Sequence, residues 1–279
     1  GWGYLRRFPP EKLAQARKYL DQAAGVCKTD LEKARVEMAN QSFTQHEKFM
    51  QLRRDLAEGR FARLAEDSET YRKKMMELGK KYQPQYAFTK LPYTGDSTLG
   101  VRYFDSFYKE THDDAARIAA GFNILTPPPL RAWRYQVDKD KQGEKLGWMK
   151  PGLDDASWKT TDVAVDTWSA LGLHNYMGSV WYRNPVKAKP AAGKKTFLWV
   201  GSTDGRVKVF VNGKHVPFVD AKGKQADSFT GYAQPASFDI TSALQPGGEQ
   251  HLALFCTREF INELGSGGLL AAPVVYQEK

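Results

Sequence analysis

The chain has few of the residues that build metal sites and activated nucleophiles. Only two cysteines and five histidines occur among its 279 residues, and the histidines are scattered along the sequence. It also lacks a Ser-His-Asp signature, a phosphate-binding loop and a His-x-x-x-His zinc pattern. The sequence therefore contains none of the common motifs of zinc-dependent, acyl-transfer or nucleotide-dependent enzymes.

Long apolar runs are missing as well. No stretch approaches the roughly 20 apolar residues that cross a bilayer, so we expect no membrane span. No signal-peptide pattern is present, and residue 1 is glycine rather than methionine. We therefore expect a mature chain or an excised piece of a longer protein, which leaves open an export signal that has been removed.

The two cysteines, Cys27 and Cys256, lie in apolar surroundings in different halves of the chain. A disulfide between them is one alternative. Their apolar neighbours favour buried free thiols, because free cysteine behaves as a small hydrophobic residue.

The chain carries a net charge of +9, from 41 lysines and arginines against 32 aspartates and glutamates. The excess is spread over both halves and forms no block, which favours a solvated surface. A dedicated site for an acidic or sulfated glycan is the alternative. No basic helix or aromatic-basic platform is present, so nucleic acid is not an expected partner.

The first part of the chain has the periodicity of helices. Apolar residues at three-to-four spacing predict one helix after Phe8-Pro9-Pro10, a second after Thr29-Asp30 and a third over 61–82. Gly59 separates the second from the third, and a short helix is predicted over 113–122. The other faces of these helices are rich in charged residues and glutamine, which is typical of a helical hairpin or small bundle.

After Thr126-Pro127-Pro128-Pro129, a stiff boundary, the period changes to two. Short strands separated by Gly, Pro, Asp and Asn turns indicate an antiparallel β-sandwich. We therefore predict a multidomain α+β chain, with a helical domain over 1–125 and a β-sandwich domain over 130–279. The predicted strands are 133–138, 162–166, 179–184, 196–201, 206–212, 216–219, 236–240, 251–258 and 273–276.

One predicted hairpin shows both strand and turn signals clearly. Alternation over 207–211 places Val207, Val209 and Val211 on one face of a strand. Asn212-Gly213 follows, and this pair fits a two-residue hairpin turn.

The second half also contains a series of short phrases in which a strand runs into or out of a tight turn. They are Trp133-Arg134-Tyr135, Gly147-Trp148, Leu153-Asp154-Asp155-Ala156-Ser157-Trp158, Trp168, Gly178-Ser179-Val180-Trp181-Tyr182-Arg183, Val211-Asn212-Gly213-Lys214, Phe238-Asp239-Ile240-Thr241, Gly247-Gly248 and Gly267-Gly268. Their order and spacing resemble the sugar-binding domain of glycoside hydrolase family 2 enzymes. This resemblance implies a galactose-binding-like jelly roll that holds or positions carbohydrate.

The helical half carries a second resemblance. Phe8-Pro9-Pro10, the long helices of mixed charge and the approach through Asn123-Ile124-Leu125 to Trp133 resemble the helical region behind α-glucuronidase-like barrels in bacterial polysaccharide-degrading proteins. The resemblance implies an upstream catalytic barrel as a partner of this chain. The chain differs from a complete glycosidase in lacking that barrel, so no catalytic residue is carried over.

Loop residues are the expected contacts for carbohydrate. Aromatic rings can stack on the apolar C–H faces of pyranoses, while polar side chains bind the hydroxyls, and loops on a rigid scaffold are where binding sites occur. Strand tryptophans such as Trp181 are interpreted instead as core, with Arg183 beside it in a cross-strand ion pair. The candidate carbohydrate-binding residues are Trp168, His174, Asn175, Tyr176, Tyr232, Arg258, Glu259 and Asn262.

Carboxylate pairs and metal ligands are weaker candidates. Glycoside hydrolysis needs two carboxylates roughly 5–9.5 Å apart, and any chain with 32 acidic residues contains adjacent pairs. We therefore predict no catalytic residue, no metal and no cofactor. Several jelly-roll sugar modules carry a structural calcium, which stays open as an alternative. The acidic residues considered for these roles are Asp113, Asp114, Asp138, Asp140, Asp154, Asp155, Glu259 and Glu263.

The expected function is that of a noncatalytic portion of a secreted or periplasmic polysaccharide-degrading protein. It would bind a poly- or oligosaccharide, neutral or acidic, or dock against the catalytic domain. A structural spacer or dimerisation module without a ligand is one alternative. A glycosidase acting on acidic or sulfated glycans is another.

Overall fold

Helices occupy the first part of the chain and antiparallel strands the second, as the periodicity predicts. The computed structural model describes residues 4–82, 109–126, 130–231, 234–246, 248–259 and 267–279. Within these ranges, none of the helices combines the length and the hydrophobicity of a membrane-spanning segment. The helices are α1 Tyr4–Arg7, α2 Pro10–Val26, α3 Asp30–Ala57, α4 Phe61–Tyr82 and α5 Lys109–Gly121.

The strands are short, apart from two of ten residues each. They are β1 Phe122–Ile124, β2 Ala132–Val137, β3 Lys159–Asp162, β4 Gly178–Lys187, β5 Thr196–Val200, β6 Thr203–Asp204, β7 Arg206–Val211, β8 Lys214–Val216, β9 Phe218–Val219, β10 Gln225–Ala226, β11 Phe229–Thr230, β12 Ala236–Asp239, β13 Glu249–Arg258, β14 Gly268–Leu269 and β15 Val274–Glu278.

Local sequence signals set the boundaries of the long helices. Thr29 caps α3 by accepting from the Glu32 amide at 3.2 Å, and the Glu32 carboxylate accepts from the Thr29 amide at 2.9 Å. This reciprocal capping box satisfies amides that the first turn leaves without helical partners. After α3, Gly59 has a φ of 66°, which a glycine adopts readily, so the chain turns into α4.

Two larger antiparallel sheets face each other in the second half. One has four strands in the order β1-β15-β5-β12, and the other has seven, in the order β11-β7-β13-β4-β2-β3 with β8 beside β7. Side chains from both, such as Leu198 and Val209, belong to one buried cluster. The arrangement is therefore sandwich-like, as expected of facing antiparallel sheets.

Helices α3, α4 and α5 pack on the other side of the four-stranded sheet. Alternation along β5 directs Leu198 and Val200 into the core between the sheets, and Trp199 into a second cluster with Leu56 and Phe61. The Trp199 indole N–H donates to Asp114 Oδ2 of α5 at 2.7 Å. The helices and strands therefore share buried surface, while the division into domains at 125–130 stays a prediction.

One predicted strand is misplaced. The prediction of a strand over 162–166 is wrong, because β3 ends at Asp162 and a turn follows. Asp162 causes the turn by accepting from the Ala164 amide through its side chain at 3.0 Å and from the Asp166 amide through its backbone at 2.8 Å. Aspartate favours such local bonds over a continuing strand.

The two cysteines are free thiols, as their surroundings predicted. Cys27 is half-buried in the turn after α2, and Cys256 is fully buried in β13. Burial raises the pKa of the Cys256 thiol far above its ordinary value.

Candidate functional site

The seven-stranded sheet has an outer face, directed away from the core between the sheets. Because side chains alternate along a strand, Val207, Val209 and Val211 of β7 point into that core. Arg206, Lys208 and Phe210 therefore occupy the outer face. The predicted alternation of 207, 209 and 211 is confirmed.

Strand register places the outer-face residues of β4, β13 and β7 in rows. Thr257 lies opposite both Ser179 and Arg206, and Phe255 lies opposite both Trp181 and Lys208. Residues opposite one another in an antiparallel pair have side chains in contact distance. The rows that result are Ser179–Thr257–Arg206, Trp181–Phe255–Lys208 and Arg183–Ala253–Phe210.

Residues 138–158, here called the covering segment, fold over part of the outer face. Trp148, Met149 and Trp158 of this segment pack on a buried cluster built around Trp181. The Trp148 ring lies 5.2 Å from that of Trp158 and 6.4 Å from that of Trp181, both edge to face. The interpretation of Trp181 as a core residue is therefore confirmed, since its exposed fraction is 0%.

Asp138 holds the start of the covering segment. Its carboxylate accepts from the amides of Gln142 and Gly143, each at 2.9 Å, and from the Trp181 indole N–H at 3.0 Å. A Cβ at position 143 would collide with the Trp181 indole and the Asp138 carboxylate. Glycine is therefore required there by the close approach of the segment to the sheet.

Asp155 holds the other end of the segment to the sheet. Its carboxylate accepts from Arg183 Nε at 2.7 Å and also pairs with Arg134, while Arg183 donates in addition to the Trp148 carbonyl. Burial disfavours the charged carboxylate, but the two guanidinium groups outweigh burial and lower the pKa of Asp155. The ion pair predicted for Arg183 is present, with its partner on the covering segment rather than on a strand.

A half-open cleft of about 220 Å³ remains where the covering segment leaves the outer face bare. Strands β4, β7 and β13 supply its floor, and the covering segment and the turn before β11 supply its walls. The lining residues are Lys141, Ser179, Arg206, Lys208, Ser228, Phe255, Thr257 and Glu259.

Ion pairs surround the cleft. Lys208 Nζ lies 3.0 Å from Glu144 and 3.2 Å from Asp227, and Arg206 Nη2 lies 3.1 Å from Glu259. Burial disfavours the charged form of Lys208, but the two carboxylates outweigh burial and raise the pKa of the lysine. Lys208 is therefore charged at neutral pH.

The floor of the cleft combines hydroxyl groups with one aromatic ring. Ser179 Oγ and Thr257 Oγ1 lie 3.2 Å apart, and the Phe255 ring packs 4.8 Å from that of Trp181. Hydroxyls and cations can bind sugar hydroxyls, and an aromatic surface can contact the C–H face of a sugar ring. This arrangement fits a polar, ring-shaped ligand.

The structure corrects the expected position of Trp168. This residue begins a 3-10 turn, its exposed fraction is 0%, and its indole N–H donates to the Tyr182 hydroxyl at 2.7 Å. A fully buried indole offers no face to a sugar from solvent. Trp168 is therefore a core residue, and sequence reasoning missed this because Gly267 and Gly268 close over it from a distant part of the chain.

The other residues of the predicted loop lie nearer the surface. His174 and Asn175 are exposed, and Tyr176 is half-buried against Trp168 with 5.6 Å between the rings. None of the three lines the cleft. Their predicted contact with carbohydrate stays a prediction.

The four remaining predicted site residues have three different outcomes. Glu259 lines the cleft, whereas Arg258, the last residue of β13, is 2% exposed and points away from it. A buried Arg258 does not fit the expected loop contact. Tyr232 and Asn262 lie outside the described residues.

Sequence reasoning therefore missed most of the cleft. The available signal was the alternation of β7, because Val207 and Val209 facing the core require Arg206 and Lys208 to face outward. The same rule places Phe255 and Thr257 together in β13. Their proximity to Ser179 depends on strand register, which no local pattern gives.

Several of the acidic residues considered for catalysis or calcium have protein partners, while Glu263 lies outside the described residues. Asp114 pairs with Arg117 at 2.7 Å, and Asp154 accepts from the Ala156 amide at 3.0 Å. Asp138 and Asp155 hold the covering segment as described above. Within the described ranges no group of three or more His, Cys, Asp or Glu side chains is arranged to hold a metal ion.

Comparisons with known proteins give only structural similarity. No family model and no curated protein matches the chain. Ruminococcus gnavus β-glucuronidase is 22% identical over 53% of this chain and 27% of its own, with a TM-score of 0.42. Its D-glucuronic acid complex is 20% identical over 54% of this chain and 29% of its own, with a TM-score of 0.43. Its apo form is 20% identical over 57% of this chain and 29% of its own, also with a TM-score of 0.43. The chain thus spans less than a third of the length of these enzymes.

Proposed function

We propose that the chain is the noncatalytic, carbohydrate-binding portion of a bacterial polysaccharide-degrading glycoside hydrolase. The resemblance of its strand and turn phrases to the sugar-binding jelly roll of family 2 enzymes supports this proposal. The proposal includes an upstream catalytic domain. It also includes a secreted or periplasmic location, since polysaccharides are degraded outside the cytoplasm.

The cleft on the outer face is the observation that carries the proposal. It brings hydroxyls, cations and an aromatic ring together on three rigid strands, a pattern that suits a sugar with both polar and apolar surfaces. A half-open site of about 220 Å³ encloses few ligand atoms. Weak affinity is therefore expected, because the favourable contacts only slightly exceed the cost of association.

A glycan array tests the proposal, with the full chain as the probe. We expect the wild type to bind at least one glycan and Ser228→Trp to lose that binding, because a bulky ring at the wall fills the cleft. Ser242→Trp places the same side chain at an exposed position outside the cleft and is expected to bind normally.

Three outcomes would contradict the proposal. Absence of binding to every glycan at high protein concentration would remove the binding role. Loss of binding only in Ser242→Trp would place the site elsewhere. Product release from chromogenic glycosides, abolished by one Glu or Asp substitution, would overturn the noncatalytic assignment.

A rigid structural spacer is the second candidate, favoured by the packing of helices on the four-stranded sheet. Phe61 of α4 lies 4.7 Å from Trp199 of β5, ring to ring, and both are fully buried. Such a buried contact between helices and sheet would fix the orientation of neighbouring domains. A chain that binds no glycan but associates with the upstream domain would support this candidate.

A further inference from the structure

We propose that the cleft selects saccharides bearing an anionic substituent, either a carboxylate or a sulfate ester. This inference rests on the carbohydrate-binding role proposed above. Three of the described lining residues are cations, namely Lys141, Arg206 and Lys208. Glu259 pairs with Arg206, and Glu144 and Asp227 pair with Lys208, so Lys141 is the cation left without a carboxylate partner among the described residues. A neutral sugar has no need of such a cation, because neutral donors and acceptors satisfy its hydroxyls.

Lys141 supplies a cation that no ion pair of the fold uses. Within the ranges that the structure describes, no carboxylate lies at ion-pair distance from its ammonium group. Its φ of 53° lies in the left-handed region, which glycine and asparagine adopt at lower cost than lysine. This conformation belongs to the turn after Asp138, whose carbonyl accepts from the Lys141 amide at 3.4 Å, and the turn places Lys141 at the wall of the cleft.

Arg206 and Lys208 add two cations whose present partners are easily displaced. They lie two residues apart on β7, so their side chains leave the same face about 7 Å apart. Glu259, the partner of Arg206, is 52% exposed, and Asp227, one partner of Lys208, is 73% exposed. Exposed pairs contribute little because water competes with them, so an incoming anion can share either cation.

The neutral groups of the cleft specify a sugar rather than a simple anion. Thr257 and Ser228 present hydroxyls between the cations, with the buried Ser179 hydroxyl behind Thr257, and Phe255 presents an apolar surface. An anionic saccharide can use all three kinds of group at once. Inorganic sulfate or phosphate can use only the cations and the hydroxyls, and is expected to bind more weakly.

Equilibrium titrations of the full chain test the selectivity. The probes are oligogalacturonate, a sulfated galactan oligosaccharide and a neutral galactan oligosaccharide of matched length. At least one anionic probe is expected to bind about tenfold more tightly than the neutral one, and added salt should reduce that difference. The preferred anionic probe identifies the substituent as carboxylate or sulfate.

Two substitutions give opposite expected effects. Lys141→Gly should weaken binding of the anionic probe about two- to fivefold without lowering the melting temperature, because glycine accepts the left-handed backbone. Glu259→Gln should strengthen binding of the anionic probe by a similar factor, because it removes the carboxylate that pairs with Arg206. Lys145 is an exposed cation of the covering segment outside the cleft, so Lys145→Gln is the matched control. It should change neither the affinity for the anionic probe nor the melting temperature.

Failure of this inference can be separated from failure of the proposed function. Neutral and anionic probes that bind equally well, with Ser228→Trp abolishing both, would leave the carbohydrate site in place and overturn the anion selectivity. Unchanged anionic affinity in both Lys141→Gly and Glu259→Gln would overturn it as well. No binding of any saccharide would overturn the carbohydrate role itself.

Discussion

At the scale of single residues, hydrogen-bond partners separate the side chains that support the outer face from those open to a ligand. Asp138 uses its carboxylate on two backbone amides and an indole, so it is a structural group. Lys141, three residues later, has no such partners in the described part of the chain and lines the cleft. Residue type alone would not distinguish these roles.

The two thiols should react very differently in the native protein. Cys256 is buried and its thiol pKa is raised, so it has almost no thiolate, whereas Cys27 is half-buried near the surface. Titration with a chromogenic thiol reagent should therefore count one thiol in the native state and two after unfolding. The variant Cys27→Ala should show none in the native state, and rapid labelling of Cys256 would contradict the buried position of β13.

At the scale of elements, the covering segment depends on the charge of Asp155. Asp155→Asn should lower the free energy of unfolding by about 3 kcal/mol at neutral pH, because it leaves buried Arg183 without its anionic partner. The folded pKa of Asp155 is lowered, so its contribution is complete above the unfolded pKa of about 4 and is lost as the pH falls through the folded value.

Denaturant unfolding at several pH values measures this effect. The difference between wild type and Asp155→Asn should shrink as the pH falls below about 4. Asp154→Asn is the control, because the amide oxygen preserves the hydrogen bond to the Ala156 amide and no arginine pairs with Asp154 in the described ranges. A difference that is constant with pH would show that the charge of Asp155 is not what holds the segment.

Individual helices and strands also show which parts of the fold can be predicted from the sequence. Thr29-Asp30 predicts the start of α3, and alternation predicts the buried face of β7, because both signals are local. The strand expected over 162–166 failed where Asp162 forms a local turn. The cleft could not be predicted, because Ser179, Arg206 and Thr257 come together only through the register of three strands that are distant in sequence.

At the scale of the whole molecule, the helices and the four-stranded sheet share one buried cluster. Phe61→Ala should therefore destabilise both, by about 3–5 kcal/mol, because it leaves a cavity against Trp199. Helical circular dichroism and tryptophan fluorescence should report one coincident unfolding transition, shifted equally by the substitution.

A matched control uses an aromatic residue that is exposed on a helix. Tyr19 of α2 is 59% exposed, so Tyr19→Ala should change the transition little. Two separate transitions, of which Phe61→Ala shifts only the helical one, would mean that the helical part folds independently of the sheet.

A crystal structure of the chain with the glycan that it binds best tests the central claim most directly. The account predicts the sugar in the cleft on the outer face, with its oxygens within about 3.2 Å of Lys208 or Thr257. Its ring should lie against Phe255, and an anionic substituent should meet Lys141 or Arg206. A sugar bound at the exposed loop of His174 and Asn175, with the cleft empty, would contradict the account.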